Sequence, residues 1–182
     1  MDRAKVIPLL KGVLVLAAIA LCSGLLLGFF NVLTYVDPLQ ATFERFGEDT
    51  GAAFSEMTDE EGASYGNGSV IYYAKSDDGR VHAFLAQGSG GYGGSVQLYV
   101  YVTDGKIGKI AIGEHSETFL SNLEAAGFYD RFVGQEVASF DASSVDAVSG
   151  ATKSSTAVKN GVGAVVRYYN EKIAGGEANG QA

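Results

Sequence analysis

Cysteine, histidine and proline are scarce in this chain of 182 residues, which contains one Cys, two His and two Pro. With Cys22 alone an intrachain disulfide is impossible, and iron–sulfur clusters and cysteine zinc sites need several thiolates. His82 and His115 are too few for a multi-histidine metal site or a haem-rich carrier. The net charge is −8. This charge argues against nucleic acid as a partner, since phosphate binding requires clustered Lys and Arg.

The N-terminal part of the chain contains a long apolar run, with no charged residue between Gly12 and Val36. As a helix these residues would be roughly 37 Å long, enough to cross a hydrocarbon core of about 30 Å. We therefore predict an uncleaved transmembrane anchor. One alternative is a cleaved signal peptide, whose apolar region usually spans only about 7–15 residues. The other is a lipoprotein signal at Cys22, which the bulky Leu21 before it disfavours.

The distribution of charge around this span predicts its orientation. Arg3, Lys5 and Lys11 precede the span, whereas acidic residues outnumber basic ones after it. Positive charge is retained on the cytoplasmic side of a membrane helix. We expect a single-pass protein of the cell membrane, with a cytoplasmic N-terminus and the rest of the chain extracytoplasmic.

A short amphipathic helix is predicted after Pro38, because Leu39, Thr42, Phe43 and Phe46 recur at spacings of three and four. The two Phe side chains could lie on the membrane interface, on a partner or on the folded domain. We favour the folded domain, because it is the commonest place for the apolar face of such a helix.

Residues 64–68 are predicted to form a loop, and beyond them the apolar period changes to two. Val96, Leu98, Val100 and Val102 show this alternation clearly. Helical patterns precede and follow the strands, so we predict an α+β fold with helices packed on one face of an antiparallel sheet. The four predicted strands are Val70 to Lys75, Arg80 to Gln87, Ser95 to Thr103 and Ile107 to Ile112.

The segment Asp146-Ala147-Val148-Ser149-Gly150-Ala151-Thr152 is predicted to form a tight turn that opens a helix. Four hydroxyl side chains crowd the start of that helix: Thr152, Ser154, Ser155 and Thr156. The amides at a helix start favour an anion such as phosphate. The same hydroxyls are equally typical of an ordinary helix cap. The residues of this segment leave both interpretations open.

Two further segments have a composition that suits a ligand. Gly90-Gly91-Tyr92-Gly93-Gly94 lies between the second and third strands, where glycines allow close approach of the backbone and Tyr92 offers a stacking face. His115-Ser116-Glu117-Thr118 follows the fourth strand. A flexible loop and a strand-end histidine are the plain alternatives, and His82, inside a strand pattern, is interpreted as structural.

In this order the three segments resemble the FMN-binding domain family, which includes the G subunit of the Rnf complex and the C subunit of the Nqr complex. In that family Asp-x-x-Ser-Gly-Ala-Thr is the site where a flavin transferase esterifies FMN, through its phosphate, to the final Thr. The resemblance implies one covalent FMN on Thr152, with Asp146 in the modification signal. After Thr118 the family continues Pro-Gly-Leu-Gly, but this chain continues Phe119-Leu120-Ser121-Asn122. The shape of the pocket for the flavin ring is therefore not implied.

The resemblance also implies a set of residues around the cofactor. Lys153 would supply a charge opposite to the phosphate, and Glu117 and Thr118 would bond the polar edge of the flavin. No catalytic triad or paired-carboxylate signature is present in the sequence. The predicted cofactor-binding residues are Thr152, Ser149, Gly150, Ala151, Lys153, Ser154, Glu117, Thr118, His115 and Tyr92.

The resemblance implies an electron-carrying subunit of a membrane-bound, ion-translocating ferredoxin:NAD oxidoreductase of the Rnf type. Its partners would be the other membrane subunits and, during maturation, the flavin transferase. The alternatives are an Nqr-type C subunit, a stand-alone membrane-anchored flavin reductase and a non-redox interaction module. The expected divisions are 1–36 (N-terminus and anchor), 37–66 (juxtamembrane helix and connector), 67–174 (FMN-binding domain) and 175–182 (flexible tail).

Overall fold

The computed structural model describes residues 3–35, 37–55 and 62–175. These residues fall into two compact units that divide between Ala41 and Thr42. The helices are α1 (Arg3–Thr34), α2 (Pro38–Thr50), α3 (Leu120–Ala125) and α4 (Thr152–Tyr168); the strands are β1 (Ala63–Tyr65), β2 (Gly68–Lys75), β3 (Val81–Gly88), β4 (Val96–Thr103) and β5 (Lys106–His115).

Within the described part of the chain, α1 is the helix that is long and apolar enough to cross a membrane. Large apolar side chains along it, such as Leu14, Leu27 and Phe30, are exposed. In water each exposed apolar side chain of this size forgoes roughly 1.5–3 kcal/mol of burial free energy. By length and composition α1 could cross a membrane, and a signal sequence near the N-terminus would pass the same test.

The five strands form one antiparallel sheet in the order β1-β2-β3-β4-β5, and each strand pairs with its neighbour in sequence. The alternation predicted for β4 is confirmed, because Val96, Leu98, Val100 and Val102 are fully buried. They belong to the main core together with the apolar face of α4. The sheet therefore positions α4, and with it the turn that precedes α4.

The prediction of four strands and a loop at residues 64–68 is wrong, because the structure has a fifth strand. β1 pairs with β2 across a turn at Gly66 and Asn67. With only three residues, β1 has no apolar period that a sequence pattern could reveal. Its pairing with β2 makes it a strand.

Helices pack on both faces of the sheet, which corrects the prediction of a single covered face. Phe46 of α2 is fully buried and packs with Leu85 and Tyr101 in a second core. Val100 and Tyr101 point to opposite faces because side chains alternate along a strand, and they belong to different cores. The prediction that Phe43 and Phe46 pack on the domain is confirmed.

Charged groups also join α2 to the sheet. The side chain of Asp49 is 10% exposed, with Oδ1 2.8 Å from the Lys109 Nζ and Oδ2 2.8 Å from the Arg45 Nε. Tyr101 donates a hydrogen bond of 2.7 Å to Oδ2. Burial raises the pKa of Asp49, but the hydrogen bonds from Lys109, Tyr101 and Arg45 lower the pKa more, so it lies below its ordinary value. Burial, followed by the bond to Asp49, raises the pKa of Tyr101.

The interpretation of His82 as a structural residue agrees with its position in β3. His82 is 8% exposed, and its Nδ1 lies 2.7 Å from the Tyr73 hydroxyl. The predicted divisions after residues 36, 66 and 174 stay predictions. Apart from Gly175, the predicted tail lies outside the described residues.

Candidate functional site

The turn before α4 is fixed by a serine from the helix itself. Gly150 has a φ of +79°, a left-handed conformation that glycine adopts without strain. The buried Ser155 accepts a hydrogen bond of 3.1 Å from the Val148 amide and donates one of 2.9 Å to the Ala151 carbonyl. The Ala151 amide donates to the Val148 carbonyl at 3.0 Å. The turn is therefore a defined structure that holds its last residues at the start of α4.

Thr152 is the first residue of α4 and its side chain is exposed. Its hydroxyl has no hydrogen-bond partner among the residues that the structure describes. The other three hydroxyls are used within the fold: Ser154 donates to Glu117, Ser155 to Ala151, and Thr156 to the Thr152 carbonyl. Of the predicted hydroxyl cluster, Thr152 is the member with a free and accessible oxygen.

The N-terminus of α4 has no side-chain cap, because Ala151 occupies the capping position. The first amides of a helix have no carbonyl partner within the helix. Together with the helix dipole they form a region of positive potential. This end of α4 can therefore bind an anion such as a phosphate.

Two basic side chains hold the segment that leads into the turn. Lys159 of α4 donates hydrogen bonds to the carbonyls of Ser143, at 3.2 Å, and Val145, at 3.0 Å. Arg131 donates one of 2.9 Å to the Asp146 carbonyl. The Asp146 carboxylate itself is exposed, with no partner in the described ranges. It is the backbone of Asp146 that is fixed, whereas its side chain is accessible to another molecule.

The three motifs found in the sequence meet at the carboxylate of Glu117, which is 6% exposed. One oxygen accepts a 2.5 Å hydrogen bond from the Gly93 amide, and the other accepts a short one from the Ser154 hydroxyl. Glu117 thus joins the loop after β5 to residues 90–94, which we call the glycine loop, and to the first turn of α4. We call this arrangement of Glu117, Gly93 and Ser154 the carboxylate bridge.

The ionisation of Glu117 follows from its partners. Burial raises the pKa of this carboxyl, but the hydrogen bonds from Ser154 and from the amides of Gly93, Tyr92 and Gly94 lower it more. The pKa is therefore below its ordinary value, and Glu117 is a carboxylate at neutral pH. Both of its oxygens are already hydrogen-bonded within the protein.

The glycine loop lies so close to the loop after β5 that side chains would not fit between them. A Cβ atom added to Gly93 would be 2.0 Å from the Ser116 carbonyl oxygen, and one added to Gly91 would be 2.2 Å from a Glu117 carboxylate oxygen. Real Cβ contacts of this length do not occur. The glycines are therefore required for contact between two loops of the protein itself.

A cleft of about 250 Å³ opens beside Thr152. The rings of Tyr92 and Phe119 form its aromatic side, with centroids 5.9 Å apart and planes at 80°. The Lys153 Nζ lies 5.9 Å from the centroid of the Tyr92 ring, in a cation–π contact. The cleft is lined by Tyr92, Phe119, Gly150, Ala151, Thr152, Lys153 and Ser154.

The structure therefore brings six of the ten predicted cofactor-binding residues to one cleft and distributes the others around it. His115 and Thr118 line a neighbouring cavity of about 560 Å³, together with Tyr129 and Glu124. Ser149 is exposed on the turn. Phe119 belongs to the cleft but was not among the predicted residues. The aromatic residue directly after Thr118 was the signal that could have identified it.

Among the described residues, no group of three or more His, Cys, Asp or Glu is placed to hold a metal ion. Residues 91–167 match the family model of the FMN-binding domain. This match includes residues 91–94 of the glycine loop, the carboxylate bridge and Thr152. It supports the placement of this part of the chain in the FMN-binding domain family, with FMN as the cofactor of a flavoprotein. No curated protein and no solved structure matches the chain significantly.

Proposed function

We propose that this chain is an electron-carrying flavoprotein subunit of a membrane-bound, ion-translocating oxidoreductase complex of the Rnf type, with FMN attached through its phosphate to Thr152. The observation that carries the proposal is the state of the Thr152 hydroxyl, which is exposed and has no hydrogen-bond partner among the described residues. The family match supports FMN as the ligand. The order of motifs in the sequence supports the attachment at this threonine.

The attachment forms a bond between the Thr152 Oγ1 and the phosphorus of the flavin nucleotide. A flavin transferase would supply the nucleotide in activated form, so that the P–O bond to the leaving group breaks and the threonine loses its proton. Relative to the unmodified chain, the product gains one FMN less one water. The uncapped amides of α4 and the ammonium of Lys153 would offset the remaining negative charge of the phosphodiester.

The surroundings of Thr152 fit an FMN phosphate. The first-turn amides of α4 lack a side-chain cap, and the adjoining cleft offers aromatic surface from Tyr92 and Phe119. When bound, FMN supplies the exchange of one or two electrons. The protein has only to hold and orient it. A nucleophile or general base on the chain is not needed for this role.

The membrane part of the proposal rests on α1. Its length and exposed apolar side chains suit insertion into a bilayer, and the basic residues before the uncharged span that starts at Gly12 favour a cytoplasmic N-terminus. The FMN-binding region would then be extracytoplasmic. The expected partners are the other membrane subunits of the complex and the flavin transferase during maturation.

The attachment is tested by co-expressing the full chain with a flavin transferase and measuring the intact mass. We expect a gain of one FMN less one water, and yellow fluorescence that stays with the chain on a denaturing gel. Thr152→Val should abolish both signals. Thr156→Val is the matched control, because Thr156 is one turn further along α4 with its hydroxyl bonded to the Thr152 carbonyl. A fluorescent Thr152→Val chain, or an unmodified wild type beside an active transferase, would contradict the proposal.

Membership of a complex is tested separately from attachment. The chain, purified from native membranes in mild detergent, should bring other integral membrane subunits with it. A flavin-bearing chain that purifies alone and reduces a soluble acceptor would favour a stand-alone flavin reductase.

A further inference from the structure

The outer edge of β5 is covered by the chain at one end only. At that end the Ile107 amide donates a hydrogen bond of 3.0 Å to the Gln135 carbonyl, and the Gly134 amide donates one of 2.7 Å to the Ile107 carbonyl. Beyond Ile107, no strand in the described part of the chain pairs with this side of β5. An edge strand presents a row of amides and carbonyls that can pair with another chain. The second part of β5 is therefore an available sheet edge.

This edge lacks the features that commonly prevent strand pairing, which are proline, a free lysine, a bulge or a very short strand. β5 contains no proline, and its register with β4 is regular from Lys109 to Ile112, between two irregularities. The Lys109 ammonium is engaged by the Asp49 carboxylate of α2, 2.8 Å away. The opposite edge of the sheet is β1, which has only three residues. Of the two edges, β5 is therefore the one that can accept a further strand.

The cavity of about 560 Å³ beside Thr118 runs along this edge and forms a groove. Its volume is within the range of about 300–1,000 Å³ that is usual for binding sites. One wall is β5, with Ile110, Ala111 and Ile112, and the other wall is formed by α3 and Tyr129. Extended peptides bind to exposed sheet edges by adding a strand, and pockets for alternate side chains give specificity. The groove combines a free edge with such a pocket.

The charge of the groove favours a basic ligand. Glu124 of α3 is exposed and forms no ion pair with the residues that the structure describes, and no lysine or arginine lines the groove. Glu117 also lines it, but its carboxylate is occupied in the carboxylate bridge. Burial, followed by the charge of Glu124, raises the pKa of Tyr129 to about 12, so its hydroxyl stays protonated at neutral pH. The uncompensated charge is therefore that of Glu124.

We propose that this groove binds an extended segment of a partner polypeptide, which adds a strand beside β5 and pairs a Lys or Arg side chain with Glu124. The main chain of the segment forms hydrogen bonds with the outer edge of β5. Its apolar side chains pack against Ile110 and Ile112, which the main core buries only in part. The proposal goes beyond the proposed function, because the binding requires neither FMN nor Thr152.

The position of the groove suits a partner that exchanges electrons with a bound cofactor. Thr118 lines the groove, and the next residue, Phe119, lines the cleft beside Thr152. A segment held along β5 therefore keeps the rest of the partner close to this cleft. This consequence, unlike the binding itself, rests on the proposed function.

The test measures binding of a synthetic peptide to the full chain in mild detergent, by fluorescence anisotropy. The probe is a short labelled peptide of alternating Val and Thr with one central Lys. We expect saturable binding, and slower hydrogen exchange of the amides in residues 109–113 when the peptide is bound. Methylation of the peptide's own backbone amides leaves its side chains unchanged and should abolish binding. Absence of binding, or equal binding of the methylated peptide, would overturn the proposal.

Variants of α3 locate the site. Ser121→Trp fills the groove and should weaken binding at least about fivefold. Asn122→Trp is the matched control, because Asn122 is the next exposed residue of α3 and does not line the groove. Glu124→Gln should weaken binding by about 1.5- to 5-fold, the range for one exposed ion pair, and Glu124→Lys should prefer a peptide with Glu in place of Lys. Equal binding by wild type and Ser121→Trp would place the peptide elsewhere and contradict the assignment.

Two further measurements separate the proposal from its alternatives. Analytical ultracentrifugation should give the same oligomeric state for wild type and Ser121→Trp. A wild-type dimer that Ser121→Trp dissociates would assign the groove to a second copy of this chain and not to a partner. Thr152→Val should bind the peptide as tightly as wild type does, so a failure of FMN attachment would leave the groove assignment standing. Loss of peptide binding in Thr152→Val would show that the groove does not act independently of the attachment site.

Discussion

The hydroxyl of Ser154, in the first turn of α4, donates a hydrogen bond to the buried carboxylate of Glu117, 37 residues earlier in the chain. Through this contact the loop after β5 is tied to the turn that presents Thr152. The second oxygen of Glu117 ties the glycine loop to the same point. Glu117, which the family resemblance assigns to the polar edge of the flavin, thus accepts a hydrogen bond from the protein through each of its carboxylate oxygens.

The first prediction concerns this bridge. Glu117→Ala leaves the Ser154 hydroxyl and the Gly93 amide without their acceptor, and an unsatisfied buried group costs about 1–3 kcal/mol. We expect the free energy of unfolding to fall by that amount, measured by urea denaturation of the full chain in mild detergent with circular dichroism. Glu114→Gln, an exposed change at the end of β5, is the control and should alter it by less than about 0.5 kcal/mol. Equal effects of the two changes would mean that the bridge contributes nothing to stability.

The second prediction concerns the close contact of the two loops. Gly93→Ala places a methyl group against the Ser116 carbonyl, so the loops must separate, at a cost of about 1–3 kcal/mol. Gly108→Ala is the matched control in β5, because its nearest neighbours would be 3.7 Å from the new Cβ. In thermal unfolding, the midpoint temperature of Gly93→Ala should be lower than that of Gly108→Ala. A Gly93→Ala chain as stable as Gly108→Ala would show that the loops adjust freely.

The third prediction is a dependence of stability on pH that comes from Asp49. Its pKa is lowered in the folded state, so its stabilising contribution is present above its ordinary pKa of 3.8 and is lost as the pH falls through the lower folded value. Asp49→Asn should therefore be less stable than wild type at pH 7, and the two curves should converge below about pH 3.8. The measurement is the free energy of unfolding as a function of pH.

Glu48→Gln is the control for this experiment, because Glu48 precedes Asp49 on α2 and is exposed. Its curve should follow that of the wild type. If Asp49→Asn and wild type differ by the same amount at every pH, the ion pairs of Asp49 do not account for the difference.

The fourth prediction concerns α1. The full chain should remain in the membrane pellet after an alkaline carbonate wash, because the apolar surface of α1 is stabilised in the hydrocarbon core. A chain that begins at Asp37 should be found in the supernatant. Recovery of the full chain in the supernatant would exclude α1 as an anchor, and reporter fusions at each end would test the predicted orientation.

A strand of the sheet could be predicted where apolar residues alternate along its own sequence. The alternation of Val96, Leu98, Val100 and Val102 marks a buried face, and the structure confirms it. β1 was missed because its three residues become a strand only by pairing with β2. The second covered face was missed for a related reason. The spacing of Phe43 and Phe46 shows that one side of α2 is buried, but not which face of the sheet buries it.

The sequence predicted which segments form the candidate site, but not how their side chains are placed relative to one another. The turn at Gly150 and the helix that begins at Thr152 follow from residue types, and both are present. The sequence could not indicate that Glu117 faces Ser154, because the two residues meet only when the sheet has folded. Phe119 is in the cleft for the same reason, since its direction depends on how the loop after β5 leaves the strand.

The position of Thr152 on a helix rather than in a loop has a mechanical consequence. The buried face of α4, which includes Val158 and Val162, is part of the main core, so the first turn of α4 moves with the core. Local opening is least favourable in such well-packed elements. A group attached at Thr152 would therefore be anchored to a rigid part of the fold. Its range of motion would be set by the length and flexibility of its own linker and not by movement of the polypeptide.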